Sequence, residues 1–150
     1  MLNPFDLKSA LTAKHAQHVV LIHFPIALFL VGVLFDFIAQ IAKRSVFAAV
    51  AYFNLLCAAI SVLPVVATGL LAWQFQLEGQ KLKGVLLMHL LLGCTSLLLI
   101  WVAWILHRRS GDQLGQSLPI LRLGFETFAA GVVMLTSHLG GFLSGVNGPG

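Results

Sequence analysis

Residues 18–44 read HVVLIHFPIALFLVGVLFDFIAQIAKR, and this stretch decides the fold. Between residues 19 and 41 a largely apolar run holds a single acid, Asp36, and closes on Lys43-Arg44. A helix needs about 20 such residues to cross a hydrocarbon core of roughly 30 Å. The run is longer than the roughly 7–15-residue apolar region of a signal peptide. A basic pair follows it where a cleavage site would need small residues. The segment is therefore expected to remain in the protein as a first membrane span.

Three more runs of the same kind follow, at residues 46–73, 85–106 and 118–143. The second carries Pro64. The third is bracketed by Lys81 and Lys83 before it and by Arg108-Arg109 after it, and the fourth places Pro119 where a first helical turn tolerates proline. Residues 1–17 read as an amphipathic prelude, with Phe5, Leu7 and Leu11 available to lie on lipid headgroups. The expected architecture is all-α: a short N-terminal interfacial helix over 1–17 and a four-helix transmembrane bundle over 18–150. No internal repeat or low-complexity linker stands out.

Composition agrees. Of the 150 residues 59% are hydrophobic and only 9% charged, where a soluble domain carries roughly a quarter charged residues. The net charge of +4 sits in loops and termini, as membrane topology uses it, and no basic face with interleaved aromatics points to nucleic acid. Cys57 and Cys94 form neither a CxxC nor a CxxCH pattern, which argues against covalent haem and against a disulfide framework. Nothing resembles a nucleophile–base pair, a phosphate-binding loop or a zinc-protease helix, so hydrolysis is disfavoured.

Let side A be the end where the first span begins. Side A then carries Lys8, Lys14, Lys81 and Lys83, and side B carries Lys43, Arg44, Arg108, Arg109 and Arg122. The positive-inside rule places side B in the cytoplasm by that small margin and side A on the non-cytoplasmic face of the membrane.

Four histidines fall near side A: His18 and His23 on the first span, His89 on the third and His138 on the fourth. His23, His89 and His138 each lie about four to six residues, or roughly 6–9 Å, inside their spans. Ionisable residues at such depth are costly and mark function by default. His18 and His23 are separated by a turn of roughly 140° on a regular helix, so they cannot easily serve one metal together. Gathered imidazoles suit a haem, whose iron takes axial ligands from two helices, and they also suit copper. Small residues, among them Gly69, Gly93, Gly131 and Gly140, leave room for a macrocycle. Thr68, Thr136 and Ser137 could bond a ligand's second nitrogen. The competing reading makes each histidine a hydrogen-bonding partner between helices. His15 and His107 are expected in solvated positions without a role.

A second polar set lies toward side B: Asp36, Asn54, Arg122 and Glu126. Arg122 and Glu126 are four apart and share a helix face. A charge-neutralising clasp is favoured over a proton path.

The stretch from His18 to Leu28, with His23-Phe24-Pro25 and Asp36 after it, resembles the opening of a family of bacterial four-helix membrane proteins of unknown function. Thr68-Gly69-Leu70 followed by His89 resembles its second block, and Ser137-His138-Leu139-Gly140-Gly141 its last. Val19 stands where that family often has proline. The resemblance implies the four-helix fold and makes the histidines the family's signature; it implies no activity.

The leading expectation is a b-type haem protein with one or two haems drawn from His18, His23, His89 and His138. It would pass electrons to other membrane redox subunits or to a soluble cytochrome. The alternatives are a non-catalytic accessory subunit of a larger membrane complex and a copper or other transition-metal binder.

Overall fold

The protein's architecture, taken from a computed structural model, is described for residues 14–76, 81–110 and 118–144. Residues 1–13 of the interfacial segment expected at 1–17, parts of the loops at 77–80 and 111–117, and the glycine-rich end at 145–150 lie outside the described residues. Five helices follow one another: α1 (Lys14–Leu21), α2 (His23–Ala42), α3 (Ser45–Gln76), α4 (Gly84–Ser110) and α5 (Leu118–Leu143). Among the described residues there is no strand.

Four helical stretches are long and apolar enough to cross a membrane: Gln17–Ala42, Ser45–Phe75, Gly84–Ser110 and Ile120–Leu143. The first of these joins α1 to α2. Backbone bonds from Ile22 N to His18 O (3.0 Å) and from Ile26 N to Ile22 O (3.4 Å) carry the chain through the junction. Pro25 has no N–H to give the Leu21 carbonyl, which is why the helix is interrupted there and not elsewhere. Lys43 ends α2 in a left-handed conformation (φ 50°), and Gly84 opens α4 at φ +56°, where a side chain would be strained.

The core is built largely of small and branched residues: Phe29 and Val33 on α2, Leu55, Ala58, Ala59 and Val62 on α3, Ile100 and Ala103 on α4, and Ala129, Ala130 and Val133 on α5. Alanine at the crossings lets helix backbones approach, as membrane bundles require. At Gly32 the helices come close: a Cβ built there would lie 3.0 Å from Leu55 Cγ and Cδ2. The opposite faces present exposed Phe24, Leu34, Phe53, Leu98, Leu121 and Phe128, the surface that acyl chains solvate.

An internal repeat, not anticipated from the sequence, organises this packing. Adding 71 to most of the buried positions of the first hairpin reaches a buried position of the second: Gly32 and Ala103, Asp36 and His107, Ala51 and Arg122, Leu55 and Glu126, Ala58 and Ala129, Ala59 and Ala130, Val62 and Val133. Bonds repeat with the same offset. His18 Nδ1 meets the Val65 carbonyl and His89 Nδ1 the Thr136 carbonyl, both at 3.1 Å and both across 47 residues. The chain is thus two helical hairpins, α1-α2-α3 and α4-α5, in contact through α3–α4 and α2–α5. Each unit contributes two spans, so the units point the same way and their approximate twofold axis runs along the bundle. The repeat escapes casual reading because it is kept in packing role; lipid-facing residues need only be apolar.

Candidate functional site

The two polar layers expected from the sequence occupy opposite ends of the bundle. At side A, the His18 ring sits across α3, with Nδ1 3.1 Å from the Val65 carbonyl and 3.3 Å from Thr68 Oγ1. A carbonyl only accepts, so Nδ1 carries the hydrogen. Thr68 gives its own hydrogen to Pro64 O (2.8 Å) or Val65 O (3.0 Å), which leaves its oxygen to accept from the imidazole. At the equivalent place in the second hairpin His89 Nδ1 donates to the Thr136 carbonyl. Thr136 Oγ1 in turn bonds Val132 O (2.8 Å) and Ser96 Oγ (2.9 Å).

Each of these imidazoles lies over a glycine. A Cβ at Gly69 would stand 2.9 Å from His18 Cε1, and one at Gly140 would stand 3.1 Å from His89 Cε1. The glycines are therefore seats for the rings.

His23 and His138 behave differently. Both are exposed, and His138 packs edge-on against Phe142 at 5.0 Å. Their counterparts at the 71-residue offset are Cys94 and Ala67, so neither has a histidine equivalent. No three of the four histidines bring ligand atoms within 4.8 Å of one another. The side-A set is thus a symmetric, anchored pair with two separate exposed imidazoles in the same end of the bundle.

At side B the structure brings Asp36, Arg122 and Glu126 together and adds His107. Arg122 Nη2 donates to Asp36 Oδ1 at 2.7 Å, and Arg122 Nε lies 3.7 Å from Glu126 Oε1. His107 Nδ1 is 3.4 Å from the other Asp36 oxygen, Oδ2. Asp36 and Glu126 are fully buried, and Arg122 and His107 are each 6% exposed. Asn54 stays out of this cluster; its Nδ2 donates to Val50 O, 2.9 Å away on its own helix.

The expectation of a solvated His107 is corrected. The third span does not stop at 106 but continues to Ser110, which turns His107 inward beside Asp36 and against Tyr52, 6.1 Å between ring centroids. Arg108-Arg109 next to it disguised it as a loop residue. The signal that could have found it is the 71-residue offset, which makes His107 the counterpart of Asp36, so that the two meet where the hairpins face each other.

A family model described as "Predicted membrane protein (DUF2231)" matches residues 14–148. The chain belongs to that family. It is accordingly a multi-pass membrane protein embedded in a lipid bilayer, and the match takes in both polar layers. No curated protein and no solved structure matches it.

The seats at Gly69 and Gly140 give this member of the family a direct test. Gly69→Val should expel the His18 ring, because the near atom belongs to an imidazole held by two acceptors and not to the free end of a flexible chain. The imidazole resonances of His18 in an NMR spectrum of specifically labelled protein should move, while those of His89 stay. Gly140→Val should do the reverse. Unchanged spectra in both variants would remove the seat interpretation.

Proposed function

We propose that the protein is a membrane redox module that takes b-type haem at side A, where His18 and His89 are the residues that would hold it. The observation that supports this reading is the matched anchoring of the two imidazoles. An imidazole whose Nδ1 hydrogen is committed to a backbone carbonyl carries its lone pair on Nε2, the tautomer and orientation that ligating histidines adopt. Two such residues on different membrane helices, equivalent under the repeat, are the donor set that a bis-imidazole haem uses. The residues fit the group chemically.

When bound there, haem supplies one-electron exchange. The chain's own part is to fix both rings through Val65, Thr68 and Thr136, to keep Gly69 and Gly140 without side chains, and to surround the site with apolar helices. His23 and His138, in the same end of the bundle, are the ligands a second haem would draw on. On this reading the histidine end faces the non-cytoplasmic side of a bacterial inner membrane. A soluble cytochrome or a neighbouring redox subunit would be the partner on that side.

Visible spectra of the purified protein, oxidised and then dithionite-reduced, test the proposal, with a pyridine haemochrome assay to type the haem. A Soret band with a sharp reduced α-band of b type is expected, lost or converted to a high-spin form in His18→Ala and His89→Ala. A featureless spectrum after gentle purification and haem supplementation would rule the haem out. Copper analysis of that sample would then separate a copper binder from an accessory subunit.

A further inference from the structure

The side-B cluster contains more buried polar atoms than its own bonds satisfy. Asp36 Oδ2, His107 Nδ1, Arg122 Nε and both carboxylate oxygens of Glu126 are buried without a hydrogen-bond partner. Buried polar groups are rarely left so, and several converging on one place call for an occupant. We propose that Asp36, His107 and Glu126 form a divalent transition-metal site of the Zn2+ or Mn2+ class, between the two hairpins and at the opposite end from the histidine pair.

Geometry is the first support. One ligand atom from each of the three residues lies within 4.8 Å of the others, and among the described residues this is the one group of three or more that does so. The 3.4 Å between His107 Nδ1 and Asp36 Oδ2 is long for a charge-assisted hydrogen bond, which runs about 2.7–2.9 Å. It is the spacing of two ligands on one ion: tetrahedral arms of about 2.1 Å set neighbouring donors about 3.4 Å apart.

Charge and ligand type point the same way. Two carboxylates, one guanidinium and one imidazole meet here, and an imidazole that ligates is neutral, which leaves one carboxylate charge for an added cation. Arg122 engages Asp36 through Oδ1 at 2.7 Å and so leaves Oδ2 for the ion, the outer-shell role that orients a ligating carboxylate. One imidazole with two carboxylates suits Zn2+ or Mn2+. The soft cuprous ion would ask for thiolates, and Cys57 and Cys94 are exposed.

The repeat argues against a mere clasp. The Arg122–Asp36 bond alone would neutralise Asp36 and would not need Glu126. The counterpart of Glu126 is Leu55, fully buried in the core, so this packing position accepts an apolar residue. Ala51 and Leu55 stand where the second hairpin has Arg122 and Glu126, so the site is single and predicts one ion per chain.

The test uses full-length protein in nanodiscs, stripped with a chelator, reloaded with Zn2+ or Mn2+ and freed of excess. Metal analysis should find one ion per chain. The affinity should fall at least tenfold in His107→Asn and Glu126→Gln and persist in the His18→Ala/His89→Ala double variant. No metal retained above the level of His107→Asn and Glu126→Gln would overturn the site, as would loss confined to the side-A variant. Should the side-B variants fail to fold, X-ray absorption of the Zn2+-loaded wild type decides. One imidazole with oxygen donors upholds the site, and two or more imidazoles refute it.

Discussion

Arg122→Leu is expected to cost the metal-stripped protein about 3–5 kcal/mol, the penalty for removing one partner of a buried ion pair. Asp36 would lose its 2.7 Å partner, and Glu126 would lose the only guanidinium near it among the described residues. Both carboxylates are fully buried, so water cannot take over at the old positions. The comparison that gives the number meaning is the triple variant Asp36→Leu/Arg122→Ala/Glu126→Leu. It installs at 122 and 126 the residue types that the first hairpin has at Ala51 and Leu55. Replacing a buried ionic cluster with packed apolar side chains is often neutral or stabilising, so the triple should recover most of the loss. Chemical unfolding in mixed micelles, followed by helical circular dichroism, measures both. A single-variant loss below about 1 kcal/mol would mean that the carboxylates are hydrated and the cluster is not a dry one.

Gly32→Val should open the first hairpin and destabilise the protein by about 3 kcal/mol, the upper part of the range for overpacking a close contact. A Cβ at Gly32 meets Leu55 Cγ and Cδ2 at 3.0 Å and, more tellingly, the Leu55 backbone nitrogen at 3.2 Å. A leucine side chain can rotate aside; a helix backbone moves only if the two helices part. Gly32→Ala should cost less, because Ala103 stands at the equivalent place in the second hairpin and is fully buried there. Gly124→Ala and Gly131→Ala, where a Cβ would meet nothing within 4 Å, are the controls and should stay near wild type. The same unfolding assay ranks the four. Equal behaviour of Gly32→Val and Gly131→Ala would show that α2 and α3 are not held at this crossing.

Some of the candidate chemistry was legible because it violates the surrounding composition. Asp36, Arg122 and Glu126 are conspicuous as charges inside apolar runs, and the structure joins them at 2.7 and 3.7 Å. His107 was not legible. It directly precedes two arginines that mark the end of a span, and one more turn of helix was enough to change it from a loop residue into a buried one. Asn54 shows the opposite failure: a polar residue at the right depth on the right helix, yet bonded to its own backbone.

The histidines mark the same boundary. Sequence spacing puts His18, His23, His89 and His138 near one end, since depth follows from the fixed rise of a helix. It cannot tell which of them are equivalent. Packing does: His18 and His89 lie over glycines of the second span of their own hairpin and donate to its carbonyls, while His23 and His138 are exposed.

The amino-acid sequence by itself determined the class and the four spans, because apolar length and helical rise are properties of one segment in lipid. Tertiary structure alone decided which side chains meet. Rotation of each helix about its axis and the order of its neighbours are set by close contacts such as Gly32 on Leu55. Those contacts, repeated 71 residues later, bring Asp36 to His107 and seat the two imidazoles alike.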